Sequence, residues 1–228
     1  MVGEKFHVFD SGFVRLDAHM ADDLSVVNAA RVSFGAHKDK LDDSDYGLIS
    51  FLMRERHGTP FEHNSFRFHI RCPIFVAREW FRHRIGSFNE LSGRYKEIPT
   101  VGYSPAPEHV RTQVGKPGAY RFEQVDEVLA SQTISQIQDA YGVAYASYEA
   151  MLQSGVAKEV ARIVLPVGTY TEFYWTVNAR SLMNFLSLRR HETAQFEIRE
   201  FALVVEELFK SVMPWTAMAW IDNGHVAP

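Results

Sequence analysis

The sequence is short of the features that mark several classes of protein. Its 228 residues hold one cysteine, Cys72, which excludes a disulfide framework and a cysteine-only zinc site. No stretch approaches the ~18 consecutive apolar residues of a membrane span. Met1 to Phe13 contains Glu4 and Asp10 and no apolar run of signal-peptide length, so a soluble, cytoplasmic protein is expected. Internal repeats and low-complexity tracts are lacking. So are a Gly-x-Gly-x-x-Gly turn and a Walker-type loop, and a nucleotide cofactor would therefore not sit in a Rossmann or P-loop site.

An excess of either charge is also missing. Lys and Arg total 24 against 28 Asp and Glu, a net −4, which argues against bulk electrostatic binding of nucleic acid. What is present is ordinary for a globular chain: 46% hydrophobic and 23% charged residues. A chain of this length suggests one domain, here 1–228, able to bury about 70% of its unfolded surface without disulfides or metals. The charge is nevertheless uneven. Residues 66–96 carry Arg67, Arg71, Arg78, Arg82, Arg84, Arg94 and Lys96 against only Glu79 and Glu90. A compact basic island in an acidic chain suits a small anionic ligand better than a long polyanion.

The patterning predicts strands mixed with helices and no regular βαβ rhythm, hence an α+β fold with a mixed sheet packed against long helices. Strands are expected over Phe6–Leu16 (interrupted at Ser11-Gly12), Ser65–Arg71, Arg94–Ile98 and Thr169–Val177. In the second, Phe66, Phe68 and Ile70 alternate with Arg67, His69 and Arg71. One helix should follow a cap at Asp22-Asp23 and close near Gly35. Another, capped by Asp43 or Ser44 with Leu48, Phe51 and Leu52 on one face, should end by Gly58 and Pro60. Further helices are expected from Pro73 to about His83, over Phe122–Gln153, around Arg162, from an Asn178 cap to about Arg189, and from about 195 to 212. The proline-rich stretch 99–121, which includes Pro117, reads as a long loop.

The segment with most chemistry is Arg82-His83-Arg84-Ile85-Gly86-Ser87-Phe88-Asn89-Glu90-Leu91-Ser92-Gly93-Arg94-Tyr95. Arg78 and Arg82 lie four apart, as do Glu79 and His83. Two cations on one face repel unless an anion or carboxylate lies between them, and guanidinium forks beside loop N–H groups suit phosphate. The alternative is a solvated cationic helix end with Glu79 and Glu90 paired to the arginines. In His57-Gly58-Thr59-Pro60-Phe61-Glu62-His63 the two histidines match no standard zinc spacing, and a helix stop with ordinary polar side chains is the better reading. Arg180 and Asn184, on a helix otherwise lined by Leu182, Met183, Phe185 and Leu186, need partners: neighbouring backbone or a polar ligand. Cys72 has Arg71 as its only activating neighbour in sequence and reads as a buried structural residue.

The run Phe-Arg-His-Arg followed by Asn-Glu-Leu-Ser-Gly-Arg-Tyr resembles the signature of flavin-dependent thymidylate synthases. Four other stretches agree in order: Ala30–Phe34, Thr59–His63, Ala161–Pro166 and Asn178–Leu186. The resemblance implies conversion of dUMP to dTMP, with methylenetetrahydrofolate giving the carbon and NADPH reducing a bound FAD. It further implies a homotetramer with shared sites and no metal. Arg82, His83 and Arg84 match the flavin-contacting signature. Ser33, Thr59, Glu62, Glu90, Asn178, Arg180 and Asn184 match other flavin positions. Glu79, Arg82, Glu90, Leu91, Ser92, Gly93, Arg94, Arg162 and Arg189 match the positions that hold dUMP. On this resemblance Arg189 stabilises charge developing on the uracil ring, Ser92 is a ligand donor, and no protein nucleophile is required. Two positions depart: some relatives carry glutamine at Glu79, and some carry histidine at Thr193, two residues from His191. The rival readings are a non-catalytic binder of RNA or single-stranded DNA and a metal-dependent hydrolase using His57 and His63.

Overall fold

In a computed structural model describing residues 1–116 and 119–228, the apolar alternation of 65–73 becomes the centre of a five-stranded sheet. We number β1 (Lys5–Val8), β2 (Gly12–Met20), β3 (Ser65–Pro73), β4 (Ser87–Glu90), β5 (Arg111–Lys116), β6 (Ala119–Gln124) and β7 (Tyr170–Asn178). The sheet order is β1-β2-β3-β7-β4, and β1–β2, β2–β3 and β4–β7 pair antiparallel. Phe66, Phe68 and Ile70 are fully buried while Arg67 is exposed, as the alternation requires. The interrupted first strand is a hairpin. Its turn holds Phe9 at φ 57°, and a Cβ on Gly12 would lie 2.5 Å from the Val8 carbonyl oxygen and 2.8 Å from the Phe201 ring.

The helices are α1 (Asp23–Arg31), α2 (Asp43–Arg54), α3 (Thr59–Glu62), α4 (Ile74–Trp80), α5 (Glu127–Gln153), α6 (Lys158–Ala161), α7 (Ala179–Arg189), α8 (Phe196–Val212) and α9 (Pro214–Asp222). Strands and helices mixed in this way make the fold α+β. The chain forms two compact units. The first comprises Met1–Cys72, Val76–Glu90 and Glu172–Pro228; the second comprises Pro73–Phe75 and Leu91–Thr171. In the first unit the core is aromatic. Trp80 stacks on Phe185 at 4.7 Å, Trp175 lies 5.0 Å from Phe185, and Phe68 lies 5.7 Å from Trp175, with all four side chains fully buried. Each contributes on the order of 2–3 kcal/mol by burial. In the second unit α5 packs on a neighbouring segment: Tyr141 donates to the Tyr103 carbonyl at 2.7 Å and Tyr148 accepts from the Ile98 N–H at 3.0 Å.

Caps hold the ends as helix physics predicts, with some shifts. Asp22 accepts from the Ser25 N–H, Gly35 takes φ 64°, and Asn178 accepts from the Ser181 N–H. The cap of α2 is Asp42, one residue before the expected pair, because Asp45 answers it in a reciprocal capping box. The buried face of α2 is Ile49, Leu52 and Met53, and Phe51 is 43% exposed. Pro73 ends β3 instead of opening α4, which stops at Trp80 and tightens into a turn through Arg82 N–H to Glu79 O and His83 N–H to Trp80 O. The expected strand 94–98 is a turn, and the strand lies earlier, at Ser87–Glu90. Residues 99–121 are not one loop: a turn of 3-10 helix over Pro107–His109 leads into the β5–β6 hairpin, so α5 begins at Glu127 and not at Phe122. Pro117, assigned to that loop, lies outside the described residues. Arg162 opens a 3-10 turn after α6.

Candidate active site

Three stretches of the first unit, two of them bearing arginines, converge on one cleft of about 490 Å³. The turn after α4 supplies Arg82, His83 and Arg84, α3 supplies Glu62, and α7 supplies Arg180, Asn184 and Arg189. Position and pairing differ among the cations. Arg180 is held on two sides: Nη1 donates to Glu62 Oε1 at 2.6 Å and Nε to the Pro228 main-chain oxygen at 2.8 Å. It packs flat over Gly58, where a Cβ would come within 2.3 Å of its Nε. Arg189 is held just as tightly, with Nε donating to His83 Nε2 at 3.0 Å and Nη1 to Glu79 Oε2 at 3.0 Å. Glu79 and His83 do share a face, and what they share is this guanidinium.

Because His83 Nε2 accepts from an arginine, its imidazole is neutral with the proton on Nδ1. Burial, reinforced by the Arg189 charge, pushes the His83 pKa down to about 4. The ring stands edge-on to Phe185 at 4.9 Å. Glu79 is shifted the other way: burial raises its pKa, and Glu197 adds to the rise while Arg189 opposes it.

Arg82 and Arg84 have no such partners. Both are exposed, and among the described residues neither makes a hydrogen bond or an ion pair with another side chain. The Asn184 amide is likewise without a hydrogen bond among the described residues. Glu79 is paired to an arginine, as the alternative reading has it, but the partner is Arg189, 110 positions away in sequence, and not a neighbour in the island. Free guanidinium groups and an amide at the rim of a cleft form a receptor for an anion carrying hydrogen-bond acceptors.

Other expected site residues lie elsewhere. Ser33 and Thr59 line a second hollow of about 1010 Å³, together with His57 and His63, and Arg180 lines both hollows. Asn178 commits its side-chain oxygen to the α7 cap and lines neither. Glu90 ends β4, also away from both. In the second unit, Ser92, Gly93, Arg94 and Arg162 gather at one turn. The Arg94 N–H donates to Ser92 Oγ at 3.4 Å, the Arg94 guanidinium lies over the Tyr95 ring, and a Cβ on Gly93 would meet the Arg162 Cδ at 3.1 Å. Leu91 precedes them, half-buried. Among the described residues no cluster of three or more His, Cys, Asp or Glu side chains could hold a metal ion. No helix is long and apolar enough to cross a membrane among the described residues. His191 and Thr193 bond to each other, Nδ1 to Oγ1 at 2.8 Å, at an exposed turn.

The sequence reading missed the wall that Ala227 and Pro228 give the first cleft. Pro228 acts there through a main-chain oxygen, which no residue pattern reveals.

An α+β fold that presents arginines unpaired among the described residues and a neutral histidine to one cleft is chemically suited to an anionic ligand. Comparison with known proteins is specific. The family model described as Thymidylate synthase complementing protein matches residues 15–215. A flavin-dependent thymidylate synthase of Thermosipho africanus is 48% identical over 217 residues, 95% of this chain and 94% of the relative. One of Thermotoga neapolitana is 46% identical over 221 residues, covering 97% and 96%. Among solved structures, a UMP/dUMP methylase PolB from Streptomyces cacaoi bound with 5-Br dUMP superimposes with a TM-score of 0.89 at 44% identity, covering 96% of this chain and 98% of that one. The chain belongs to the flavin-dependent thymidylate synthase family.

Proposed function

We propose that this flavin-dependent thymidylate synthase converts dUMP to dTMP with methylenetetrahydrofolate as carbon donor, NADPH as reductant and FAD as bound cofactor, without a protein nucleophile. The observation that carries this reading is the convergence of Arg82, His83, Arg84, Arg180, Asn184 and Arg189 on one cleft, with Arg82 and Arg84 unpaired among the described residues. Names of relatives supply the flavin and thymidylate synthesis, and the solved PolB structures carry 5-Br UMP and 5-Br dUMP.

The residues present fit FAD. Its diphosphate is an anion with several acceptor oxygens, which is what two free guanidinium groups and the Asn184 amide are equipped to bind. Arg82, His83, Arg84, Glu62, Arg180 and Asn184 would hold it from the first cleft, with Ser33 and Thr59 in the second hollow; Asn178 and Glu90 complete the proposed set. When bound, the flavin supplies hydride chemistry. The chain's own task is to bind, orient and polarise. Ser92, Gly93, Arg94 and Arg162 at their turn would receive the dUMP phosphate, and Leu91 shapes the approach; Arg82 belongs to the proposed dUMP set as well. Arg189 would face the uracil ring and stabilise the negative charge that develops on it as C5 becomes nucleophilic.

Support for chemistry without a protein nucleophile comes from Cys72. It is fully buried, and burial, with Glu90 nearby, pushes its thiol well above the ordinary range. Assembly into a homotetramer agrees with the apolar surface left open on the second unit, where Val143 is 71% and Ile163 is 76% exposed. A soluble, cytoplasmic chain that binds no nucleic acid, organised as one domain over 1–228, completes the reading.

The test is the visible spectrum of purified protein mixed with FAD, then with NADPH, then with dUMP, alongside chromatography of the nucleotide product. Flavin uptake, bleaching by NADPH and formation of dTMP that requires methylenetetrahydrofolate are expected. A chain that takes up no FAD and forms no dTMP overturns the proposal.

A further inference from the structure

Arginine offers five N–H donors in a rigid planar fork, so two fixed contacts define the plane of the group and the direction of the rest. In Arg189 those contacts are Nε to the neutral imidazole of His83 and Nη1 to the carboxylate of Glu79, both at 3.0 Å. Nη2 is left without a hydrogen bond among the described residues, on a side chain that lines the cleft. The two anchors are not alike. His83 is wedged against Phe185, whereas Glu79 is a carboxylate on the partly buried flank of α4, with Glu197 of α8 adding a second negative charge nearby. A lone carboxylate there would be desolvated and repelled. The Arg189 guanidinium compensates it, and in return is fixed in direction.

We propose that Glu79 is a positioning residue that acts through Arg189: together with His83 it fixes the plane of the guanidinium and leaves Nη2 to meet the substrate ring. This rests on the proposed dUMP chemistry, and it reassigns Glu79 from the substrate-holding set to the support behind it. A carboxylate facing a phosphate would repel it; a carboxylate behind an arginine steers that arginine and leaves the phosphate to Arg82 and its neighbours. Glutamine preserves the steering contact, because its amide oxygen accepts the same hydrogen bond. Alanine does not.

Two measurements on the full chain test this. In the first, nitrogen-15 NMR of the histidine rings reads His83 without any turnover. The wild-type chain should show Nδ1 protonated and Nε2 as a hydrogen-bond acceptor, Glu79→Gln should keep that signature, and Glu79→Ala should lose it as Arg189 swings free. Arg189→Lys, which keeps the charge but not the fork, should lose it too and serves where the alanine variant does not fold. In the second, steady-state kinetics with dUMP should show kcat falling about 10-fold or more in Glu79→Ala, with KM for dUMP and FAD affinity within about 3-fold. Glu79→Gln should recover most of the rate, and Glu79→Ala should add nothing to Arg189→Ala, since the two act as one unit.

A raised KM with unchanged kcat overturns the proposal and makes Glu79 a substrate contact. So does a His83 signature that survives Glu79→Ala, or additive losses in the double variant. If the NMR behaves as expected while even the wild-type chain forms no dTMP, the positioning of Arg189 stands and the dUMP reading falls.

Discussion

Gly58 permits a test of the proposed cofactor cleft that separates affinity from stability. Its φ of −71° is ordinary for any residue, so alanine meets no backbone objection. The obstacle is spatial: the new methyl would lie 2.3 Å from Arg180 Nε and 2.4 Å from its Cζ. The guanidinium is the far end of a flexible side chain and can move aside, but moving gives up the bond to Pro228 and distorts the ion pair with Glu62. That pair is about 40% exposed on both sides, so its loss costs about 0–1 kcal/mol, and the bond to the Pro228 main-chain oxygen about 1 kcal/mol more. Alanine returns about 0.4–1 kcal/mol by restricting the unfolded chain. The net loss is about 1 kcal/mol, or roughly 2–4 °C in Tm for a chain of this size. Cofactor binding is affected more strongly. A charge-assisted hydrogen bond contributes about 1.5–3 kcal/mol, so displacing Arg180 should raise the FAD Kd about 10- to 100-fold. Flavin fluorescence titration measures the Kd and differential scanning fluorimetry the Tm. Gly47→Ala is the control: it is an exposed position of α2 with nothing within 4 Å of a new Cβ, and should stabilise by about 1 kcal/mol with FAD binding unchanged. A Gly58→Ala variant that binds FAD within twofold of wild type refutes the assignment of Arg180 to the cofactor.

The other expectations are briefer. Arg189→Ala should keep FAD and lose about 100- to 1000-fold in turnover, the scale of removing a donor to developing charge; stopped-flow and steady-state assays giving near-normal rates would remove it from the chemistry. Cys72→Ala should retain activity, and in the native chain the thiol should react with alkylating reagent only once denaturant is added; a folded, FAD-loaded but dead variant reopens a thiol mechanism. His83 should remain neutral to pH 5 by NMR titration, because its pKa lies near 4. Its folded pKa is depressed below an unfolded value of about 6.5, so acid protonates the unfolded chain first. Stability is then complete above that value and is lost as pH falls toward 4. Urea unfolding should record a loss of about 2–3 kcal/mol over that window, smaller in His83→Gln; an equal loss in the variant would assign it to other groups.

What the sequence revealed depended on whether burial or local chemistry leaves a period. β3 was legible because its inward residues are fully buried and its outward ones polar or charged, and α7 because Asn178 caps an apolar helix. Asp43 and Ser44 are the expected caps of α2, but Asp42 beside them, extended at φ −133° and answered by Asp45, takes the place. The β5–β6 hairpin was hidden for the opposite reason: its side chains are almost all exposed, so no alternation marks it, and proline and glycine dominate the surrounding composition. β4 is a polar strand of four residues at the sheet edge. α9 stands behind Pro214, which reads as a stop to α8 but occupies the first turn of the next helix.

In the candidate site the same division holds between residue type and pairing. Composition exposed the basic island, and the order of its motifs exposed the family, but local spacing assigns carboxylates to the wrong cations. Glu79 stands three and four residues from Arg82 and His83, close enough to suggest a helix-surface pair. Instead α4 ends at Trp80, and Glu79 reaches Arg189 from 110 positions away, as Glu62 reaches Arg180 from 118. Both long-range acids bind arginines of α7. The arginines so held are fixed in direction, while Arg82 and Arg84 keep their charge unneutralised among the described residues. Neutralising carboxylates beside Arg82 and Arg84 would have stabilised the empty cleft and opposed an incoming phosphate. The negative groups here instead fix two guanidinium forks and leave two others unpaired among the described residues, the arrangement that the proposed orienting of a ring and capture of an anion call for.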